Sequence, residues 1–443
     1  MVQKTQLLIG ATASGSGKTT FTLGLLRCLR NRGIIVQPFK CGPDYIDTKF
    51  HTMAVGDKNG ETESVNLDSY LSSTQHIKEI YSKYGANADA CIVEGVMGLF
   101  DGYNKMDGSS AQIAEMLNIP VLLIINAKAC AYSVAPIIYG YKNFYRGINI
   151  AGVVFNMVGS ESHYQLLKQA CKDVGITALG YIPNCKEIEI PSRHLGLTLD
   201  EKFRFNAFTQ RIANILELHV DIDKILNIFK SNFCICNNIS SPKLETTASL
   251  SPLIAVAKDE AFNFIYRENI EQLKKVGNII FFSPINDTQI PIGANFVYLP
   301  GGYPELFIKK IAANISMKES IKKHVEGGGK LLAECGGMMY LCNSIIGIDG
   351  KEYSMCNVLP LQVTMEEMKL HIGYRKFTYN EIEVRGHEFH YSKIRENKIE
   401  LCSVAQLYTA LGKKIDTPLY KYKNAIAGYT HLYWGEFNIM NLY

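Results

Sequence analysis

An α/β chain of two domains is expected, on three observations. In the first half, short apolar runs alternate with helical patterns: Leu7-Leu8-Ile9, Ile34-Ile35-Val36, Ala90-Cys91-Ile92-Val93, Val121 to Ile125 and Ile148 to Met157. Continuous apolar runs separated by helices predict strands buried on both faces of a parallel sheet. The alternation pauses over 231–252, rich in Asn, Ser, Thr and Pro, and resumes at Leu253-Ile254-Ala255-Val256-Ala257. Domains at 1–230 and 253–443, joined by a linker at 231–252, follow.

The 443 residues leave room for two domains with ordinary cores, 47% being hydrophobic and 20% charged. A net charge of +4 is too weak to argue for nucleic acid or a membrane surface. No apolar run approaches a membrane span, and Lys4-Thr5 leads straight into the first strand, so no signal peptide is expected. The twelve cysteines are scattered, and Cys234-Ile235-Cys236 has poor metal spacing. Reduced, mostly buried thiols in a cytoplasmic protein are the expectation.

The stretch from Leu7 to Thr20 organises the first domain. An apolar strand breaks into Gly10-Ala11-Thr12-Ala13-Ser14-Gly15-Ser16-Gly17, then Lys18-Thr19-Thr20 opens a helix reaching Arg32. Backbone N–H groups of such a loop cradle phosphates, Lys18 adds a mobile charge, and the Thr19 hydroxyl suits Mg²⁺. Gly15, Ser16, Gly17, Lys18, Thr19 and Thr20 are therefore the candidate nucleotide contacts. The strict spacing of this motif would put glycine at position 12, where Thr12 stands. A chance Gly/Ser turn is the bland alternative.

Functional groups of a parallel sheet gather at the carboxyl ends of its strands. The loop Lys40-Cys41-Gly42-Pro43-Asp44-Tyr45-Ile46-Asp47, and Glu94 with Gly95 to Gly102, fall there. Asp44, Asp47 and Asp101 are candidate nucleotide-site carboxylates. Thr19, Asp47 and Glu94 are candidate Mg²⁺ ligands, since that ion takes hard oxygens. Pro-Asp and Asp-Gly pairs also favour plain turns, so Asp44 and Asp101 keep a structural alternative.

In the second domain, Leu331-Leu332-Ala333-Glu334 is an apolar strand, Cys335-Gly336-Gly337 a sharp turn, and Met338 onward a helix. A thiol so placed is expected at the sheet edge, its pKa lowered by the helix end and nearby bases. Leu299-Pro300-Gly301-Gly302 ends another strand and offers N–H groups, Gly302 among them, to an oxyanion. His431 in Tyr429-Thr430-His431 is a candidate base; Cys335 as a small buried hydrophobe is the competing reading. Arg385-Gly386-His387-Glu388-Phe389-His390 reads equally as an anion site or a solvated hairpin edge, and Arg193-His194-Leu195-Gly196 is as open.

These segments together resemble the cobyrinic acid a,c-diamide synthases over nearly the whole length. The carriers are 13–20, 40–47, 94–102, Leu299 to Glu305, Ala333 to Gly337, Arg385 to His390 and Thr430-His431, in that order. The resemblance implies an amino-terminal P-loop NTPase domain similar to dethiobiotin synthetase and a carboxy-terminal class I glutamine amidotransferase domain. Carried over, Cys335 is the nucleophile, His431 its base and Gly302 an oxyanion donor. Many class I domains place an acid two residues after the histidine; Tyr433 stands there, so a Cys–His dyad is the closer likeness.

The resemblance further implies ATP as co-substrate, Mg²⁺, glutamine and a tetrapyrrole carboxylate. A carboxylate would be phosphorylated and then amidated by ammonia delivered along an enclosed route, with cobyrinic acid as acceptor in adenosylcobalamin biosynthesis. Nickel sirohydrochlorin on the route to coenzyme F430 is the alternative acceptor. A non-catalytic, regulatory ATP-binding protein is the alternative of another class. No nucleic acid or membrane partner is expected, and a homodimer is one candidate assembly.

Overall fold

The computed structural model describes residues 2–56, 62–188, 204–233, 251–395 and 401–443. The chain forms two units, Met1–Ser241 and Pro242–Tyr443.

The first unit runs β1 (Val2–Ala11), α1 (Lys18–Asn31), β2 (Val36–Cys41), α2 (Tyr45–Val55), β3 (Val65–Leu67), α3 (Thr74–Gly85), β4 (Ala90–Glu94), α4 (Ser110–Leu117), β5 (Val121–Asn126), α5 (Val134–Phe144), β6 (Ile150–Val158), α6 (Glu161–Val174), β7 (Thr177–Pro183), α7 (Phe205–His219), α8 (Ile222–Ile228) and β8 (Lys230–Phe233). Its sheet has the order β3-β2-β4-β1-β5-β6-β7, all parallel. Successive side chains of β1 enter opposite cores: Leu7 and Ile9 join α1 and α7 on one face, Leu8 joins α3 and α4 on the other. Burial on both faces is why the strand reads as an unbroken apolar run.

One boundary differs from expectation. Ser231, Asn232 and Phe233, expected in the linker, belong to β8 and pair antiparallel with Lys4, Gln3 and Val2 at the start of β1. β5 pairs with β1 only from Leu8 onward, which leaves the backbone of Val2–Thr5 for β8. Phe233 is buried against Tyr81 and under the Lys4 ammonium.

The second unit runs β9 (Leu253–Ala257), α9 (Arg267–Val276), β10 (Asn278–Phe282), β11 (Phe296–Leu299), α10 (Ile308–Ala313), α11 (Ile315–Glu326), β12 (Lys330–Glu334), α12 (Gly336–Leu341), β13 (Cys342–Ile346), β14 (Glu352–Ser354), β15 (Leu359–Thr364), β16 (His371–Tyr379), β17 (Ile382–His390), β18 (Lys393–Arg395), β19 (Leu407–Thr409), β20 (Lys414–Ile415), β21 (Leu419–Tyr422), β22 (Ala425–Gly428) and β23 (His431–Tyr433). The central sheet, β10-β9-β11-β12-β22-β21, is parallel except for β21. Two further sheets, β14-β13-β15-β18 and β20-β19-β16-β17-β23, complete the unit. The last of these joins His431 on β23 to the Arg385–His390 segment on β17. Among the described residues, no helix is long and apolar enough to cross a membrane.

Candidate active site

The phosphate-type loop lies between β1 and α1, with Gly15 and Gly17 at φ 75° and 98°. Gly17 is constrained twice: a Cβ there would also fall 2.1 Å from Asn156 Nδ2. Asn156, at the carboxyl end of β6, donates to the Ser16 carbonyl and braces the loop. Ser16 turns its own hydroxyl inward to Ala13 O at 2.8 Å.

A cavity of about 560 Å³ opens beside the loop, lined by Gly15, Gly17, Lys18, Thr19, Thr20, Asp44, Asp47 and Glu94 among others. Lys40 on β2 and Glu94 on β4 reach it from adjacent strand ends, Lys40↔Glu94 being register partners. Glu94 is fully buried and accepts from Thr19 Oγ1 at 2.7 Å, Lys40 Nζ at 2.8 Å and His51 Nε2 at 2.6 Å. Lys40 also pairs with Asp47 Oδ2 at 2.5 Å. Burial by itself would raise the Glu94 carboxyl; Lys40 and then His51 outweigh it and hold the group ionised. Asp47 is pushed up, by burial first and by Asp44 second, with Lys40 opposing. Lys18 donates to Met97 O, and burial followed by Lys40 lowers its pKa.

Two expected contacts have a structural duty. Asp44 caps α2, its Oδ1 accepting from Ile46 N and Asp47 N at 2.9 Å, while still facing the cavity. Asp101 accepts from Gly98 N at 2.9 Å and closes its turn; the described residues lining the cavity do not include it. Lys40, His51 and Asn156 were not singled out from sequence. Lys40 at least stands inside the recognised loop, whereas His51 and Asn156 carry no local signal. The Arg193–Gly196 segment and the Cys234-Cys236 pair lie outside the described residues.

In the second unit, Cys335 sits between β12 and α12 at φ 47°, ψ −105°. For a non-glycine residue that backbone costs on the order of 1–3 kcal/mol, and such strain clusters at functional turns. Close approach forces the glycines around it. A Cβ on Gly337 would meet Leu299 O at 2.1 Å, one on Gly302 would meet Ala261 O at 2.0 Å, and one on Gly301 would meet His431 Cε1 at 2.1 Å. Gly302 N lies 3.2 Å from the Cβ position of Gly336, beside the thiol. Cys335, the Gly301-Gly302 loop and His431 thus converge from three segments of the chain.

The thiol's setting departs from expectation. Cys335 is buried rather than exposed at a sheet edge, and its Sγ donates to Phe389 O of β17 at 3.8 Å. Burial, then the nearby Glu305, pushes its pKa up rather than down. The reason is that α12 has only six residues and β17 covers the sulfur, so desolvation outweighs the helix end. His431, also fully buried, is lowered to about 3 by burial and then by His387 and His390; it is a neutral base at pH 7. Tyr433 packs edge-on against Tyr266, so the position two beyond the histidine serves packing.

Arg385–His390 is not a solvated edge beyond Arg385. His387, Glu388 and His390 are buried in β17. Glu388 accepts from Arg375 Nε, from His390 Nε2 at 2.7 Å and from Thr417 Oγ1 at 3.2 Å.

Fold and sites together define a two-domain enzyme: a nucleotide-binding unit joined to a glutamine amidotransferase. Residues 7–197 match the CobQ/CobB/MinD/ParA nucleotide binding domain, and 253–439 the CobB/CobQ-like glutamine amidotransferase domain. Cobyrinate a,c-diamide synthase of Priestia megaterium is 37% identical across 97% of this chain and 94% of its own. The enzyme of the same name from Picrophilus torridus is 38% identical across 97% and 95%. A solved glutamine amidotransferase aligns with 40% of this chain and 89% of its own, at 17% identity and a TM-score of 0.29. The chain belongs to the cobyrinate a,c-diamide synthase family, whose members are glutamine-dependent amidotransferases.

Proposed function

We propose that this enzyme uses ATP and glutamine to amidate the a and c acetate carboxylates of cobyrinate, a step of adenosylcobalamin biosynthesis. The observation that carries the acceptor is the near end-to-end likeness, at 37–38% identity, to relatives bearing that name. The chemistry is supported by the two sites.

At Cys335, the thiol proton passes to neutral His431 as sulfur attacks the glutamine side-chain carbonyl. Backbone N–H groups near Gly302 stabilise the oxyanion, His431 hands its proton to the leaving nitrogen as ammonia departs, and water then releases glutamate from the thioester. In the first unit, the loop from Gly15 to Thr20 holds ATP, and the γ-phosphoryl group passes to a substrate carboxylate. Ammonia then attacks the acyl carbon and phosphate leaves. Lys18 neutralises charge on the transferring group.

The donor set suits Mg²⁺. The Thr19 hydroxyl and Glu94 are hydrogen-bonded to each other, Asp47 stands beside them, and Asp44, Asp47 and Glu94 outnumber Lys18 and Lys40. Thr19, Asp47 and Glu94 would hold the ion, which when bound offsets phosphate charge.

Turnover with cobyrinate and with nickel sirohydrochlorin, each with glutamine and ATP, tests the acceptor. Formation of cobyrinate a,c-diamide is expected. Amidation of the nickel compound alone would replace it, and hydrolysis of neither glutamine nor ATP with acceptor present would favour a regulatory ATP-binding protein.

A further inference from the structure

The buried cluster on β16 and β17 plays no part in the reaction as set out above, yet it borders the thiol. Glu388 and His390 flank Phe389, whose carbonyl oxygen is the acceptor for Cys335 Sγ. Both neighbours are locked. Glu388 is held by Arg375 Nε from β16 and by Thr417 Oγ1, 3.2 Å from each carboxylate oxygen. His390 is held at both ring nitrogens, Nε2 by Glu388 and Nδ1 by Ser392 O at 2.8 Å. Its ring stacks on Tyr429 at 3.7 Å, and Tyr429 is hydrogen-bonded to Ser392 Oγ at 3.1 Å. One residue before Glu388, His387 is the register partner of His431. The strand that this cluster fixes therefore touches both members of the Cys–His pair.

A metal is the competing use of these groups. Donor atoms of His371, Glu388 and His390 lie within 4.8 Å of one another. But the His371 and His390 rings lie face to face with planes 4° apart. Imidazoles stacked in parallel do not aim their in-plane lone pairs at one point. The ion-pair reading is the one the geometry favours.

We propose that Arg375, Glu388 and His390 form a positioning device for the glutamine site, locking β17 so that the Phe389 carbonyl holds the Cys335 thiol in line with His431. The role that an acid two residues past the histidine would fill, at Tyr433, is taken by a clamp acting through the neighbouring strand. Glu388 and Arg375 need not touch glutamine. Their effect belongs to kcat of glutamine hydrolysis, because the thiol and imidazole are misaligned without them while substrate contacts remain.

The inference rests on the glutamine-site reading, and one series on the full chain separates the two. Cys335→Ala checks that reading: retained glutamine hydrolysis would remove it. Glu388→Gln is expected to lower kcat for glutamine by about 10- to 100-fold, the cost of misplacing a reacting group by up to ~1 Å. KM should change less than about threefold, ammonia-driven amidation should persist, and Glu388→Asp should recover part of the loss. Because Glu388→Gln leaves Arg375 short of its partner and can fail to fold, Thr417→Val is the second variant. It removes only the hydroxyl bonds and should lower the same kcat by about threefold. A folded Glu388→Gln, or Thr417→Val, with unchanged glutamine kcat would overturn the proposal, as would an equal fall in ammonia-driven amidation. Loss of glutamine hydrolysis on chelation, restored by added zinc, would make the cluster a metal site and overturn it as well.

Discussion

Glu94 holds the first site together as a single fully buried carboxylate with three partners: Thr19, Lys40 and His51. Glu94→Gln keeps the shape and removes the charge, leaving Lys40 with Asp47. Amidation with either glutamine or ammonia should fall by at least about 100-fold, as expected when a preorganised charge is lost, while glutamine hydrolysis at Cys335 survives. Rates with both nitrogen sources check this, and an unchanged ammonia-driven rate would remove Glu94 from the reacting centre. His431 provides a pH test. Its folded pKa of about 3 lies below the ordinary 6.5, so the unfolded chain binds the extra proton between those values. Its contribution to stability is complete above pH 6.5 and is lost as pH falls toward 3. Urea titrations from pH 7 to 4 should show a steeper acid loss for the parent than for His431→Gln.

Two elements fix their side chains by backbone approach rather than by propensity. The turn from β12 to α12 presses Gly337 onto the Leu299 carbonyl, which cannot swing away as a side chain would. Gly337→Ala should therefore abolish glutamine use and lower the melting temperature, whereas Gly350→Ala, where a Cβ meets nothing within 4 Å but φ is 70°, should cost only about 1 kcal/mol. β8 is the other case. A polar tetrapeptide carries one large anchor, Phe233, into the core beneath β1. Phe233→Ala should destabilise the first unit by about 3–5 kcal/mol, read as a lower denaturation midpoint, and a change under 1 kcal/mol would mean that β8 adds little.

For the molecule as a whole, the expectation is separable chemistry: acid activation in one unit, nitrogen release in the other. Cys335→Ala should eliminate glutamine-dependent amidation and leave activity with high free ammonia. If both rates vanish, the cysteine is needed for the fold, which the melting temperature would report. The two units meet after Ser241, inside the 231–252 segment read as a linker, whose first residues, 231–233, belong to β8 of the first sheet.

What the sequence determined by itself are the features written in neighbouring residues. Gly15 to Thr20, the 40–47 loop, Glu94, and Cys335 with its glycines are each a strand, a turn and a chemical group within a few positions. Buried parallel strands further announce themselves as unbroken apolar runs. Tertiary structure alone decided what depends on residues far apart: His51 and Lys40 meeting at Glu94, Asn156 bracing Ser16, and Arg375 and Thr417 gripping Glu388. It also reversed the expected acidity of Cys335, since a thiolate's cost is set by what covers the sulfur, and β17 covers it from 54 residues away. Local pattern encodes backbone shape, whereas desolvation and charge pairing are properties of the packed chain.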